Sequence, residues 1–259
     1  MIKTVATFLI VALSGLLVAC GGGGGGGGSG GTPPPAPTNV STGQLNDTGV
    51  TANQCYQAGS DALVACSSAG AIALNNAQDG MRGRDANAAT NSNTDGKLGF
   101  SFTSVTGGCV LDNVTGLLWE SKTTDGGLRD RNKSYTNLTP VDALYGTSTD
   151  ASGYVAAVNT SNLCGASDWR LPTADELQSI VDYSVALGAG PTIDTTWFPI
   201  TQASAFWSAS PNASVSSQAW IVDFSQGSVR PLARTFSFYV RLVRAGSSPI
   251  PAGYTGAAD

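Results

Sequence analysis

The stretch from Asp168 to Val181 constrains the fold most, because it predicts where a helix begins. Pro172 ends a short extended segment, Thr173 stands at an N-cap position, and Glu176 follows three residues later. This spacing is typical of a capping box, in which the threonine oxygen accepts a hydrogen bond from the Glu176 main-chain N–H and the glutamate side chain reaches back to the cap. Apolar residues then recur at helical spacing over 177–185. The stretch therefore predicts a capped helix with one buried stripe.

The tryptophans indicate which part of the chain builds the core. All five lie between residues 109 and 244. Within that part, apolar spacing predicts two short strands joined by a turn over 110–120, a first helix over 152–163, a strand over 219–227 and a closing strand over 238–244. We therefore predict an α+β domain over 109–245, followed by a loose tail over 246–259.

The first 20 residues carry one early lysine, an apolar run over 6–18 and then Leu-Val-Ala-Cys, which ends at Cys20. The run is too short and wrongly flanked for a membrane-spanning helix. Leu-Val-Ala-Cys resembles the lipobox of bacterial lipoproteins, which implies a signal peptide over 1–19 and lipidation of Cys20. The alternative is an ordinary signal peptide with a spare thiol. No aspartate follows Cys20, which favours the outer membrane over retention at the inner membrane.

A glycine- and proline-rich stretch over 20–40 predicts a flexible tether. Residues 41–108 are polar and rich in turns, with few large apolar side chains, and we expect a loop-rich extension that does not fold alone. One segment of it, 99–105, alternates through Phe100 and Phe102. That alternation predicts an edge strand laid on the main core.

Four cysteines remain after Cys20, and they allow three pairings. In the oxidising cell envelope cysteines form disulfides, and the local interpretation pairs each cysteine with the next one in the chain. It joins Cys55 to Cys66 and Cys109 to Cys164. The second bridge would contribute on the order of 4 kcal/mol in the chain-entropy model.

Residues Asn91, Asn93 and Asp95 alternate before a glycine, as the first ligands of a calcium loop do. The twelfth position of that loop would be Phe102, so the bidentate glutamate is missing. Asn-Asp-Gly runs are also common in plain turns. The sequence favours the turn, and calcium remains the one candidate cofactor, with Asn91, Asn93 and Asp95 as its ligands.

Composition excludes several function classes. The chain has no histidine, so histidine-based triads and zinc–histidine sites cannot form. Its formal net charge of -5 makes it a poor nucleic-acid binder. Asp175 and Glu176 are neighbours on one helix and do not face each other. No Ser-x-x-Lys partner activates a serine. We therefore expect no catalysis and no nucleic-acid partner.

Four separated motifs then appear in order: Asp-Asn-Val-Thr-Gly-Leu-Leu-Trp-Glu at 112–120, Cys-Gly-Ala-Ser-Asp-Trp-Arg-Leu-Pro-Thr-Ala-Asp-Glu-Leu at 164–177, Phe-Trp-Ser-Ala-Ser at 206–210 and Tyr-Val-Arg-Leu-Val-Arg at 239–244. Together they resemble the Lcl C-terminal domain family, found on bacterial collagen-like adhesins and on envelope lipoproteins. Residues 46–85 resemble the leader that often precedes this domain. The resemblance implies a C-type-lectin-like fold, similar also to formylglycine-generating enzymes, with two helices packed on a small twisted antiparallel sheet.

The resemblance implies a non-catalytic, adhesin-like recognition domain on a lipid-anchored protein of the cell envelope, facing the periplasm or the cell surface. Its partners would be the membrane, through the lipid, and either a glycan or another envelope protein, the latter in a structural or assembly role. Formylglycine-type chemistry is disfavoured, because no cysteine follows Cys164.

Some members of the family bind sulfated glycans, which require a basic surface. The candidate ligand-binding residues here are Arg230, Arg234, Arg241 and Arg244. Arginines at alternate positions of a strand are also typical of solvated edge charges. The sequence favours the edge-charge interpretation.

Overall fold

The structure, a computed structural model, describes residues 46–87, 95–96 and 99–245. In that part the helices are α1 Ala69–Leu74, α2 Ala151–Thr160 and α3 Ala174–Gln178, with short 3-10 helices at Asp79–Met81 and Leu163–Gly165. The strands are β1 Cys55–Gln57, β2 Ser60–Val64, β3 Phe102–Val105, β4 Cys109–Asp112, β5 Leu117–Glu120, β6 Ala205–Pro211, β7 Gln218–Asp223, β8 Ser228–Ala233 and β9 Val243–Ala245. The predicted α+β class is confirmed.

The strands form two antiparallel sheets and one hairpin rather than a single sheet. Strands β3, β4, β5 and β9 are neighbours in that order, β6, β7 and β8 make the second sheet, and β1 pairs with β2. The predicted closing strand is divided between the sheets. The main chain of Tyr239 bonds Ala205 and Trp207 at β6, whereas Val243 pairs with Trp119 of β5. The chain therefore crosses from one sheet to the other within a few residues.

The four-stranded sheet is covered on both faces at its two inner strands, and every residue of β4 and β5 is buried. One face packs against α3 and the three-stranded sheet, through Val110, Leu117, Trp119, Leu177, Phe206 and Val222. The other packs against α2, through Leu111, Leu118, Tyr154, Val158 and Leu242. Burial on two sides explains why these strands carry apolar residues in succession instead of alternating with polar ones.

The capping box that opens α3 is confirmed. The Thr173 hydroxyl accepts a 3.1 Å hydrogen bond from the Glu176 N–H, and a Glu176 carboxylate oxygen accepts one of 2.8 Å from the Thr173 N–H. The helix is shorter than the apolar spacing suggests. The main-chain N–H groups of Asp182 and Tyr183 bond distant carbonyls, those of Thr192 and Thr48. Tertiary partners therefore end the helix while its apolar residues stay buried.

Helix α2 ends three residues before the predicted position. Its N-cap is Asp150, which accepts a hydrogen bond from the Ser152 N–H. Asn162 then adopts a left-handed conformation with φ of 53°, which an α-helix cannot continue through. The two helices predicted for the domain are thus α2 and α3.

The extension contains more regular structure than expected. The hairpin β1–β2 and helix α1 surround a small core of Cys55, Cys66 and Ala71. Strand β2 has no buried residue, so its sequence lacks the apolar alternation that would have predicted a strand. Strand β3 is the edge of the four-stranded sheet, as the 99–105 segment predicted, and it begins at Phe102. No helix in the described part of the chain is long and apolar enough to cross a membrane.

Candidate functional site

Both local disulfides are confirmed. The S–S distances are 2.00 Å for Cys55–Cys66 and 1.96 Å for Cys109–Cys164. The first closes the hairpin of the extension. The second ties β4, an inner strand of the four-stranded sheet, to the 3-10 helix that follows α2.

Two of the four candidate arginines lie at the outer strand of the three-stranded sheet. Arg230 of β8 pairs with Asp223, with an N–O distance of 3.3 Å, and its side chain is 49% exposed. Arg234, just past β8, donates a 3.0 Å hydrogen bond to the main-chain oxygen of Asn137. Each already has a protein partner.

The other two arginines are buried at the four-stranded sheet, so they are not solvated edge charges. Arg241 is 1% exposed and Arg244 is 6% exposed. Arg244 pairs with Asp168 at 2.5 Å. Alternation alone could not distinguish burial from exposure, because both faces of this sheet are covered. The structure does not bring the four arginines into one basic surface.

A buried charge network lies at the end of β5, where Glu120 is inaccessible to solvent. One carboxylate oxygen of Glu120 accepts a hydrogen bond from the Tyr154 hydroxyl and one of 2.9 Å from the Lys122 ammonium. The second oxygen accepts a 2.9 Å bond from the Leu242 N–H. Lys122 also donates to the Tyr154 oxygen at 2.9 Å. The carboxylate therefore joins β5, α2 and the segment before β9.

Arg241 completes this network from its other side. Its guanidinium donates to the main-chain oxygen of Glu120 at 2.6 Å and to the Thr201 hydroxyl at 2.8 Å. It also lies over the ring of Phe198, 4.8 Å from the ring centre, in a cation–π contact. Its Nε–H has no hydrogen-bond partner among the described residues.

Burial controls the ionisation of these groups. It lowers the pKa of Lys122 to about 8, because the loss of hydration outweighs the attraction of Glu120, and the positive charges of Arg241 and Arg129 add to the shift. Burial also lowers the pKa of Arg241 to about 10. For Tyr154, burial and the negative charge of Glu120 raise the pKa, so its hydroxyl stays protonated. At neutral pH the network holds two cations and one carboxylate.

A cleft of about 300 Å³ opens beside the network. Lys122 and Arg241 contribute to its lining, and its apolar wall comes from Trp197, Phe198 and Ile200. Ser104 and Thr196 lie on it and are exposed, so the cleft reaches the surface. Positive charge at the base of a partly apolar cleft is an arrangement that can hold an anionic group.

Residues 108–244 match the Lcl C-terminal domain, which is more than half of the 259-residue chain. The chain belongs to the Lcl C-terminal domain family. No curated protein matches the sequence. In this Lcl domain the motifs that carried the resemblance meet in space: Asp168 of the second motif pairs with Arg244 of the fourth, and Glu120 of the first contacts Arg241 of the fourth.

The remaining candidates lie at or beyond the limits of the described residues. Cys20, Asn91 and Asn93 are outside them. Asp95 is inside, and its carboxylate accepts a 2.8 Å bond from the Ser101 hydroxyl. Within the described ranges, no group of three or more acidic, cysteine or histidine residues could hold a metal ion.

The sequence interpretation missed the Glu120 network of the Lcl domain. One clue was present, since Glu120 directly follows the apolar residues Leu117, Leu118 and Trp119. Alternation places Glu120 on the face of Leu118, which predicts a buried carboxylate that needs a partner. Its partner Arg241 is more than a hundred residues away and could not be identified from spacing.

Proposed function

We propose that this protein is a non-catalytic, adhesin-like recognition protein of the bacterial cell envelope, anchored through a lipid on Cys20. The observation that carries the proposal is the match of residues 108–244 to the Lcl C-terminal domain. Such domains are typically extracellular or associated with the envelope. The lipobox-like Leu-Val-Ala-Cys and the tether over 20–40 support a domain held away from a lipid surface.

A glycan is the ligand that we favour. The arrangement of α2 and α3 against small antiparallel sheets supports the C-type-lectin-like architecture that the resemblance implies. We propose outer-membrane attachment with the domain facing the periplasm or the surface. A catalytic role of the formylglycine-generating kind has no support, since the sequence has no cysteine beyond Cys164.

A second candidate is a structural or assembly role with another envelope protein as the partner. Specific apolar side chains favour it. In the loop before α2, Val141 is 92% exposed and Leu144 is 58% exposed, with Tyr145 beside them. Exposed apolar residues that lie together are typical of protein-binding surfaces.

Two experiments test the proposal. Metabolic labelling with a radioactive fatty acid should mark the wild-type protein and leave Cys20→Ser unlabelled; equal labelling of both would contradict the anchor. The full-length protein, extracted in detergent, is then applied to a glycan array at low and high salt. Salt-sensitive binding to acidic glycans supports the adhesin. A blank array together with one envelope protein that co-purifies, and is lost in Val141→Ser/Leu144→Ser, supports the assembly role.

A further inference from the structure

The buried network beside the cleft does not balance its charges. Lys122 and Arg241 supply two positive charges and Glu120 supplies one negative charge, so the sum is +1. The charges that act most strongly on Lys122 are those of Glu120, Arg241 and Arg129, of which two are positive. Both cations are shielded from solvent: the Lys122 side chain is 6% exposed and Arg241 is 1% exposed. A buried positive charge without a counter-charge is costly to keep in a folded protein.

The same two residues also have hydrogen-bond donors to spare. The Nε–H of Arg241 has no acceptor in the described part of the chain. Lys122 bonds two acceptors, Glu120 and Tyr154, whereas an ammonium group carries three donors. Buried donors in native structures nearly always find acceptors, and the exceptions call for an explanation. An acceptor with negative charge would satisfy the donors and the charge together.

The cleft is placed to admit such a group. It is lined by Lys122 and Arg241, and its apolar wall includes Trp197 and Phe198. Apolar walls exclude water, and attraction between opposite charges is stronger where water is excluded. The indole of Trp197 offers a flat face for the body of a ligand, as aromatic side chains do in many binding sites.

We propose that this cleft binds an oxyanion with a single negative charge, the carboxylate or sulfate of an acidic ligand, between Lys122 and Arg241. The inference rests on the recognition role proposed above and identifies where the ligand is held. One negative charge brings the network to zero. The oxyanion offers acceptors to the Arg241 Nε–H and to the remaining ammonium donor. Of the four arginines suggested by the sequence, Arg241 belongs to this site, whereas Arg230, Arg234 and Arg244 are not required.

The test uses the full-length protein and three probes, sodium acetate, sodium glucuronate and sodium methyl sulfate, at constant ionic strength maintained with sodium chloride. Each probe that fits should raise Tm with a saturable dependence on concentration. Lys122→Met should abolish the rise. Lys133→Met is the matched control, since Lys133 is exposed and loses the same charge, and it should respond as the wild type does. A rise for acetate but not methyl sulfate assigns a carboxylate, and the reverse assigns a sulfate.

An unchanged Tm with all three probes, or an equal rise in wild type and Lys122→Met, would overturn the proposal. A second measurement uses the wild type alone, so it remains informative if Lys122→Met does not fold. The indole N–H resonance of Trp197, assigned with Trp197→Phe, should shift during a titration with the probe that binds, and no shift would contradict the site. Binding should also weaken as pH rises through about 8, where Lys122, which faces Glu120, Tyr154, Arg241 and Arg129, loses its charge.

The two proposals fail separately. If wild type and Lys122→Met bind the acidic glycans of the array equally well, the recognition role stands and the cleft is excluded as the binding site. If the probes bind in the cleft while the array is blank and no envelope protein co-purifies, the anion site stands and the adhesin role falls.

Discussion

Two charged regions of the Lcl domain differ in how their charges are matched. In the signature segment, residues 168–178, each cation meets an acid: Asp168 pairs with Arg244, and Arg170 pairs with Glu176 through two hydrogen bonds of 2.7 and 2.6 Å. In the buried network the Glu120 carboxylate pairs with Lys122, whereas Arg241 bonds Glu120 only at its main-chain oxygen. The signature segment is partly exposed, with Arg170 46% exposed, whereas Glu120 is inaccessible.

The difference separates residues that build the fold from residues that could bind a ligand. The signature segment closes on itself and on β9: the Trp169 indole donates to the Leu163 carbonyl, and Arg170 exchanges main-chain hydrogen bonds with Val243. It therefore holds parts of the domain together. The network also joins elements, but it contains one more positive than negative charge, and the Arg241 Nε–H has no acceptor among the residues that the structure describes.

The largest effect should come from removing the carboxylate of the network. Glu120→Gln leaves two buried cations without a counter-charge and should lower the free energy of unfolding by about 3–5 kcal/mol. Glu176→Gln, at the partly exposed pair, should cost less than about 1 kcal/mol. Urea denaturation at pH 7 measures both. Equal losses would show that the two regions are energetically alike.

The buried lysine should make stability depend on pH in an unusual direction. The pKa of Lys122 is about 8 in the folded protein, below the ordinary lysine value of 10.5. Between these values the unfolded chain holds a proton that the native state has released, so stability rises with pH. Relative to Lys122→Met, the wild type should gain about 2 kcal/mol from pH 7 to pH 9.5. If the difference in free energy of unfolding between wild type and Lys122→Met stayed constant or fell over this pH range, the burial of a charged lysine would be contradicted.

A smaller effect is expected at the helix cap of the signature segment. Thr173→Ala removes the hydroxyl that accepts from the Glu176 N–H and should lower the free energy of unfolding by about 1 kcal/mol. Thr160→Ala, at the end of α2, is a control of the same chemistry without an N-cap. Thermal unfolding followed by circular dichroism compares the two variants. Equal losses of stability would show that the cap does not stabilise α3.

The smallest effect belongs to the Arg170–Glu176 pair itself. Burial opposes the ionisation of Glu176, but hydrogen bonds from Arg170 and Thr173 more than offset it and lower its pKa. Because the pair is partly exposed, water and salt screen it. A double-mutant cycle with Arg170→Ala and Glu176→Ala should give a coupling of about 0.5 kcal/mol that declines with added salt. A coupling of several kcal/mol would make the signature segment resemble the network.

Much of the signature segment could be predicted from the sequence because its interactions are local. Thr173 and Glu176 are three residues apart, and the capping box needs no distant partner. The Cys55–Cys66 disulfide is also local, since its cysteines are 11 residues apart. The four-residue turn between β4 and β5 lay within one motif. Where a short stretch contains both partners of an interaction, spacing alone was sufficient.

The buried network could not be predicted because its environment is made by distant elements. Arg241 stands in a strand-like alternation that is typical of an exposed edge, and its partners Glu120, Phe198 and Thr201 lie far from it in the sequence. The same cause divided residues 238–244 between two sheets. The hairpin β1–β2 was missed for the opposite reason, since its side chains are mostly exposed and show no apolar period.

Binding of acidic glycans to the full-length protein, measured side by side for wild type, Lys122→Met and Lys133→Met at one ionic strength, tests most directly whether the unmatched charge serves recognition. We predict that wild type and Lys133→Met bind the same glycans with similar affinity and that Lys122→Met binds at least tenfold more weakly, about 1.4 kcal/mol. Equal affinity of all three proteins would contradict the proposed role of the unmatched positive charge in recognition.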